Sequence, residues 1–115
     1  MTNNRQNNAG RVINGVDNAV AEQIIKIILS YKKAEKIVLF GSRTTKIFKR
    51  TSDIDIAVFA KGWSDRDFNI IKHTLNEDVK IPLKFDVINF YAITKEKLIK
   101  NILAKGSVIY EHRKD

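Results

Sequence analysis

At 115 residues the chain has room for one domain with a single modest core, and not for two. Its 43% apolar and 30% charged residues are the profile of a soluble globular protein. No apolar run reaches the roughly 18 residues of a membrane span, and the lack of cysteine excludes disulfides and thiolate metal sites. Lysine and arginine total 21 against 13 acids, a net charge of +8, which favours nucleotides, nucleic acid or an acidic protein surface as partners. The basic residues are spread along the chain and serve equally as a solvated surface, so charge alone does not make a nucleic-acid binder.

The first twelve residues are polar and Asn-rich, with no apolar stretch of signal-peptide type. They are expected to form a flexible arm, residues 13–115 to form a single domain, and the protein to be cytoplasmic. Val16, Ala19, Val20, Ile24, Ile27, Ile28 and Tyr31 recur at helical spacing, predicting a helix over 16–32. Ile37-Val38-Leu39-Phe40 is a continuous apolar run ended by Gly41 and reads as a buried strand. Ser42 to Phe48 suggests a short helix or turn. Asp53-Ile54-Asp55-Ile56-Ala57-Val58-Phe59 predicts a second strand.

Ser64 is placed to cap a helix over about 65–77, with Asp65 and Asp67 in its first turn and Phe68, Ile71 and Leu75 as its apolar stripe. Pro82 precedes a third strand, Leu83 to Ile88. A last helix from Thr94 carries Leu98, Ile102 and Leu103, with Gly106 suited to its C-terminal cap. Ser107 to Tyr110 is expected to close the sheet. Helices and strands alternate, so the fold class is α/β (α+β), a mixed β-sheet flanked by helices.

Alternation along a strand puts Asp53 and Asp55 on one face, with Cα atoms about 6.5 Å apart, and Ile54, Ile56 and Val58 on the other. Two ionised carboxylates side by side on an apolar strand repel each other and lose hydration. A divalent cation with a preference for hard oxygen ligands, such as Mg²⁺, removes the conflict. The competing explanation is a solvent-facing edge strand. Asp-x-Asp also occurs in dehalogenase-like phosphatases and glycosyltransferases, although the former continue with a glycine and a threonine and this chain continues Ile56-Ala57-Val58.

Gly41 allows a sharp turn after the first strand, and Ser42 then stands at a helix start, where free N–H groups favour an anion. Arg43 has the donor fork to pair with terminal phosphates. An ordinary capped turn explains the same residues, and the P-loop pattern is absent. Asp86 interrupts the apolar strand around Phe85-Val87-Ile88 and needs a partner, for which the same metal pair is a candidate.

Taken together, Gly41-Ser42, the ten positions from Arg43 to Ser52, Asp53-x-Asp55, and Asp86 on a later strand resemble the signature of the minimal nucleotidyltransferases of the DNA polymerase β superfamily. The similarity runs over roughly residues 18–111, through Phe85-Asp86-Val87-Ile88-Asn89-Phe90 and Ile99-x-x-Ile102-x-x-x-Gly106-x-x-Ile109-Tyr110. This resemblance implies two Mg²⁺ ions (or Mn²⁺) held by Asp53, Asp55 and Asp86. It further implies that Asp86 helps deprotonate the attacking hydroxyl, and that Gly41 and Ser42 hold the triphosphate of ATP or another nucleotide. It also implies a partner, because many such proteins are antitoxins of HEPN-type toxins and some transfer AMP from ATP to a tyrosine of that toxin.

The chain departs from the pattern at Lys46, where relatives often carry a glycine. Two functions follow as expectations. One is a metal-dependent nucleotidyltransferase acting on a partner's hydroxyl. The other is a module that masks a partner with little or no catalysis. His73 reads as a surface residue, and Trp63 as packing or interface rather than a stacking platform for a base.

Overall fold

The computed structural model describes residues 16–40 and 53–112. Helix α1 (Asn18–Tyr31) leads to strand β1 (Lys36–Phe40). Strand β2 (Ile54–Phe59), helix α2 (Asp65–Asp78) and strand β3 (Phe85–Asn89) follow, and a 3-10 turn (Phe90–Ala92), helix α3 (Glu96–Lys105) and strand β4 (Ser107–Glu111) complete the described chain. The strands form one mixed sheet in the order β3-β2-β1-β4, with β2 antiparallel to β1 and parallel to β3. Parallel neighbours need a crossover, and α2 supplies it.

Alternation divides the strands between two layers. Ile37 and Leu39 of β1, Ile54, Ile56 and Val58 of β2, and Phe85 and Val87 of β3 enter one core with α1 and α2. Helix α1 gives that core Val20, Ile24 and Ile28, and α2 gives it Phe68, Ile71 and Leu75. On the other face a smaller cluster joins Val38, Phe40, Ala57 and Phe59 to Ile102 of α3. Among the described residues, the second face is covered at one end only.

Side-chain caps set the starts of α1 and α2. Asp17 accepts from the Val20 N–H at 2.9 Å and starts α1. Ser64 and Asp67 form a reciprocal capping box at the start of α2. Asp67 does more than its place in the first turn indicates. Although only 7% exposed, its carboxylate accepts from the Tyr31 hydroxyl at 2.5 Å, the Lys32 Nζ at 3.0 Å and the Ser64 N–H at 2.7 Å, tying α2 to the end of α1. Trp63 is buried beside it and donates its indole N–H to the Lys33 carbonyl at 2.9 Å, so it is a packing residue.

One expectation about α3 needs correction, and one is met in a particular way. Of the three apolar residues the last helix carries, Leu103 is 60% exposed, because α3 turns Leu98 and Ile102 toward the sheet and Leu103 points away. Gly106 is the C-terminal cap as expected, in an extended conformation (φ −69°, ψ 154°), with its N–H on the Ile102 carbonyl. A Cβ there would overlap the Ile102 carbonyl and the Val38 side chain, so what the position requires is close approach of α3 to β1.

Candidate active site

The N-terminal end of β2 carries the acids because of the same alternation that builds the core. Ile54 and Ile56 are fully buried on the α1/α2 side, so Asp55 between them must face the other layer. Asp53 is exposed one residue ahead of the strand, and Asp55 is half-buried. β2 is an interior strand, which excludes the solvent-facing edge as an explanation of the acid pair. Asp86 does lie on an edge strand, but in parallel register directly beside Asp55. Phe40 of β1 is the partner of Asp55 on the other side, so one row across the sheet reads Phe40, Asp55, Asp86. The next row, Val38, Ala57 and Ile88, is apolar and is covered from the α3 side.

Neighbouring strands stand about 4.8 Å apart, so Asp55 and Asp86 are close enough to repel. Burial first, then the charges of Asp86 and Asp53, push the Asp55 carboxyl up to about 6. A cleft of about 530 Å³ opens here, bounded by Asp53, Asp86, Lys72, Asn76 and Lys84. Lys72 of α2 reaches in, and its Nζ lies 3.3 Å from Asp86 Oδ1.

Among the described residues no group of three or more acidic, histidine or cysteine side chains forms a ready metal cage. The chemistry of the donor set nevertheless fits a hard divalent cation. Three carboxylates lie at one end of the sheet, and the central one is held against its own ionisation. Gly41, Ser42 and Arg43 lie outside the described residues, as do Lys46, the short element expected at 42–48 and the arm at 1–12. His73 is exposed on α2, as expected of a surface residue. Sequence reasoning passed over Lys72 and Asn76. Their spacing of four on α2 places them on one helix face, and only the pairing of β2 with β3 reveals that this face borders the acids.

A four-stranded mixed sheet with helices on both faces and carboxylates at one end of adjacent strands is the frame of a nucleotidyltransferase. The polymerase β nucleotidyltransferase family matches residues 22–115, and the chain belongs to that family. No curated protein matches it. Among solved structures the fold is similar to a chain of a toxin–antitoxin complex with AMP-PNP. The TM-score is 0.69 at 23% identity, covering 81% of this chain and 74% of that one. It is also similar to a chain of the tri-AMPylated Shewanella oneidensis HEPN toxin in complex with its MNT antitoxin, with a TM-score of 0.63 at 21% identity, covering 80% and 70%. A toxin–antitoxin MntA–HepT structure aligns with a TM-score of 0.61 at 21% identity, covering 80% and 70%. Among the described residues no helix is long and apolar enough to cross a membrane.

Proposed function

We propose that this protein transfers a nucleoside monophosphate, AMP from ATP, to a hydroxyl on a partner protein of the HEPN toxin kind. The observation that carries the reading is the side-by-side register of Asp55 and Asp86, with Asp53 two residues ahead of Asp55, on the sheet face that α3 leaves uncovered. The family supports the reaction class, and the AMPylated toxin in a similar complex supports the acceptor.

Asp53, Asp55 and Asp86 would hold Mg²⁺ or Mn²⁺, which when bound neutralises phosphate charge and polarises the reacting oxygens. Asp86 stands on the edge strand, where an acceptor can approach from outside the sheet. It orients the attacking hydroxyl and receives its proton. The new bond joins the acceptor oxygen to the α-phosphorus. The bond from that phosphorus to the bridging oxygen breaks, and pyrophosphate leaves with the electron pair. Gly41 and Ser42 would hold the triphosphate through backbone N–H groups and the hydroxyl, with Arg43 on the terminal phosphates.

One observation favours the second reading, a module that masks its partner without catalysis: Asp86 is already paired with Lys72. The experiment that separates them is incubation with the partner protein and ATP labelled at the α or the γ position, followed by intact mass measurement. Transfer of α label with a gain of one AMP supports nucleotidyl transfer, and transfer from the γ position overturns it. Tight complex formation that survives substitution of all three aspartates, with no transfer, establishes masking.

A further inference from the structure

Strand β3 is an edge, and its main chain is held differently on its two sides. Toward β2, the Ile54 N–H donates to the Lys84 carbonyl at 2.8 Å. In a parallel ladder alternate residues turn both backbone groups to the neighbour, so Lys84 and Asp86 face β2 and Phe85 faces outward. An edge strand ordinarily leaves such outward groups to water or to another chain. Here one side chain takes both. Asn76 Oδ1 accepts from the Phe85 N–H at 2.8 Å, and Asn76 Nδ2 donates to the Phe85 carbonyl at 3.1 Å. The same Nδ2 donates to the Lys72 carbonyl at 2.9 Å, which locks the carboxamide to the helix one turn back. From that turn Lys72 reaches Asp86 itself.

We infer that Asn76 is a positioning residue for Asp86. Its carboxamide reproduces the two-bond contact of a neighbouring strand and fixes the main chain one residue before the carboxylate, level with Asp55. Residues 79–84, which lead into β3, belong to no helix or strand, so Asn76 is where α2 grips the start of the strand. Asparagine alone offers a donor and an acceptor at this reach: alanine offers neither, and a serine hydroxyl is too short to span both groups. What Asp86 does once held rests on the nucleotidyl-transfer reading; the grip on Phe85 does not.

The test uses the full chain, Mn²⁺ alone as the probe, and backbone amide exchange. In Asn76→Ala the Phe85 amide exchanges faster while Leu39 and Ile56 keep wild-type protection. Mn²⁺ binds roughly tenfold more weakly, as is typical when an outer partner of a metal ligand is lost. With the partner protein present, kcat falls while the KM for ATP stays near wild type. If the alanine variant fails to fold, Asn76→Ser gives the same readouts. Faster Phe85 exchange with wild-type Mn²⁺ affinity, in a background where Asp86→Asn loses that affinity, overturns the positioning role and leaves the site reading standing. Wild-type affinity in Asp86→Asn as well overturns the site reading, and the positioning role with it.

Discussion

Asp67 on α2 and Asp55 on β2 are both withdrawn from water, yet their surroundings drive them in opposite directions. Asp67 meets donors: the Tyr31 hydroxyl foremost, then the Ser64 N–H and Lys32 Nζ, which together hold its carboxyl well below the usual carboxylate range. Asp55 meets burial and two further acids, and is pushed up to about 6. Burial alone therefore does not reveal what an acid is for. A carboxylate ringed by donors serves the fold, whereas one beside other carboxylates is relieved either by taking up a proton or by a cation from outside. The difference also explains why α2 carries both kinds of contact: its N-terminal turn is anchored through Asp67, and its later turns reach the cleft through Lys72 and Asn76.

The sharpest way to break the contrast is to substitute each acid by its amide and follow thermal unfolding. Asp67→Asn gives the largest effect. It keeps the shape but turns an acceptor-only group into one that presents a donor to Tyr31, Ser64 and Lys32, so Tm drops markedly. Because the folded carboxyl binds its proton less readily than the unfolded chain, this support is full above the ordinary carboxylate pKa of 3.8 and fades as pH falls below it. A Tm in Asp67→Asn equal to wild type at pH 7 contradicts the anchoring role.

Metal and nucleotide come next. If Asp53, Asp55 and Asp86 await a cation, Mn²⁺ with ATP raises Tm by linkage, by about 2.7 kcal/mol of stabilisation at a hundredfold excess over Kd. Asp53→Asn and Asp55→Asn lose that response, whereas Lys84→Met keeps it. An unchanged wild-type Tm at millimolar metal and ATP removes the case for the site.

Asp55→Asn without metal acts in the opposite sense from Asp67→Asn. Asp55 in the folded chain holds its proton up to about pH 6 against 3.8 ordinarily, so its contribution is full below 3.8 and lost as pH rises through 6. The amide removes that loss. Apo stability at pH 7 rises by about 1 kcal/mol, a figure reduced because the group is half exposed to solvent screening. A flat difference between wild type and Asp55→Asn across pH 4–7 denies the repulsion.

Much of this was legible in the sequence for local reasons. The period of two in Asp53-Ile54-Asp55-Ile56 assigned the faces, and Ser64 ahead of two first-turn acids announced the N-cap of α2. The apolar stripe of α2 was equally plain, since Phe68, Ile71 and Leu75 are all buried. What was not legible is what depends on which strands meet. Asp86 was identifiable as an acid in an apolar strand, but its place beside Asp55 is a pairing across 31 positions. Asp67 showed only as a first-turn acid, because Tyr31 and Lys32 lie 36 and 35 positions back. Gly106 announced itself as a glycine and left open whether a left-handed cap or a close helix–strand approach required it.

The smallest effects come from two lysines that are alike in everything except what their acids are for. The Lys32 and Lys72 side chains are each 48% exposed, and each is paired with an aspartate, at 3.0 and 3.3 Å. Lys32→Met leaves Asp67 with the Tyr31 and Ser64 donors, so Tm falls slightly and Mn²⁺ affinity does not change. Lys72→Met changes Tm as little but strips Asp86 of its resident counter-ion. A cation entering the cleft then has no lysine to displace and meets a more negative wall, so Mn²⁺ alone binds a few-fold more tightly, on the order of 1 kcal/mol or less. Equal Mn²⁺ affinity in the two methionine variants would mean that Lys72 and the metal do not compete for Asp86. In that case the ion pair at the cleft belongs with Asp67 among the contacts that serve only the fold.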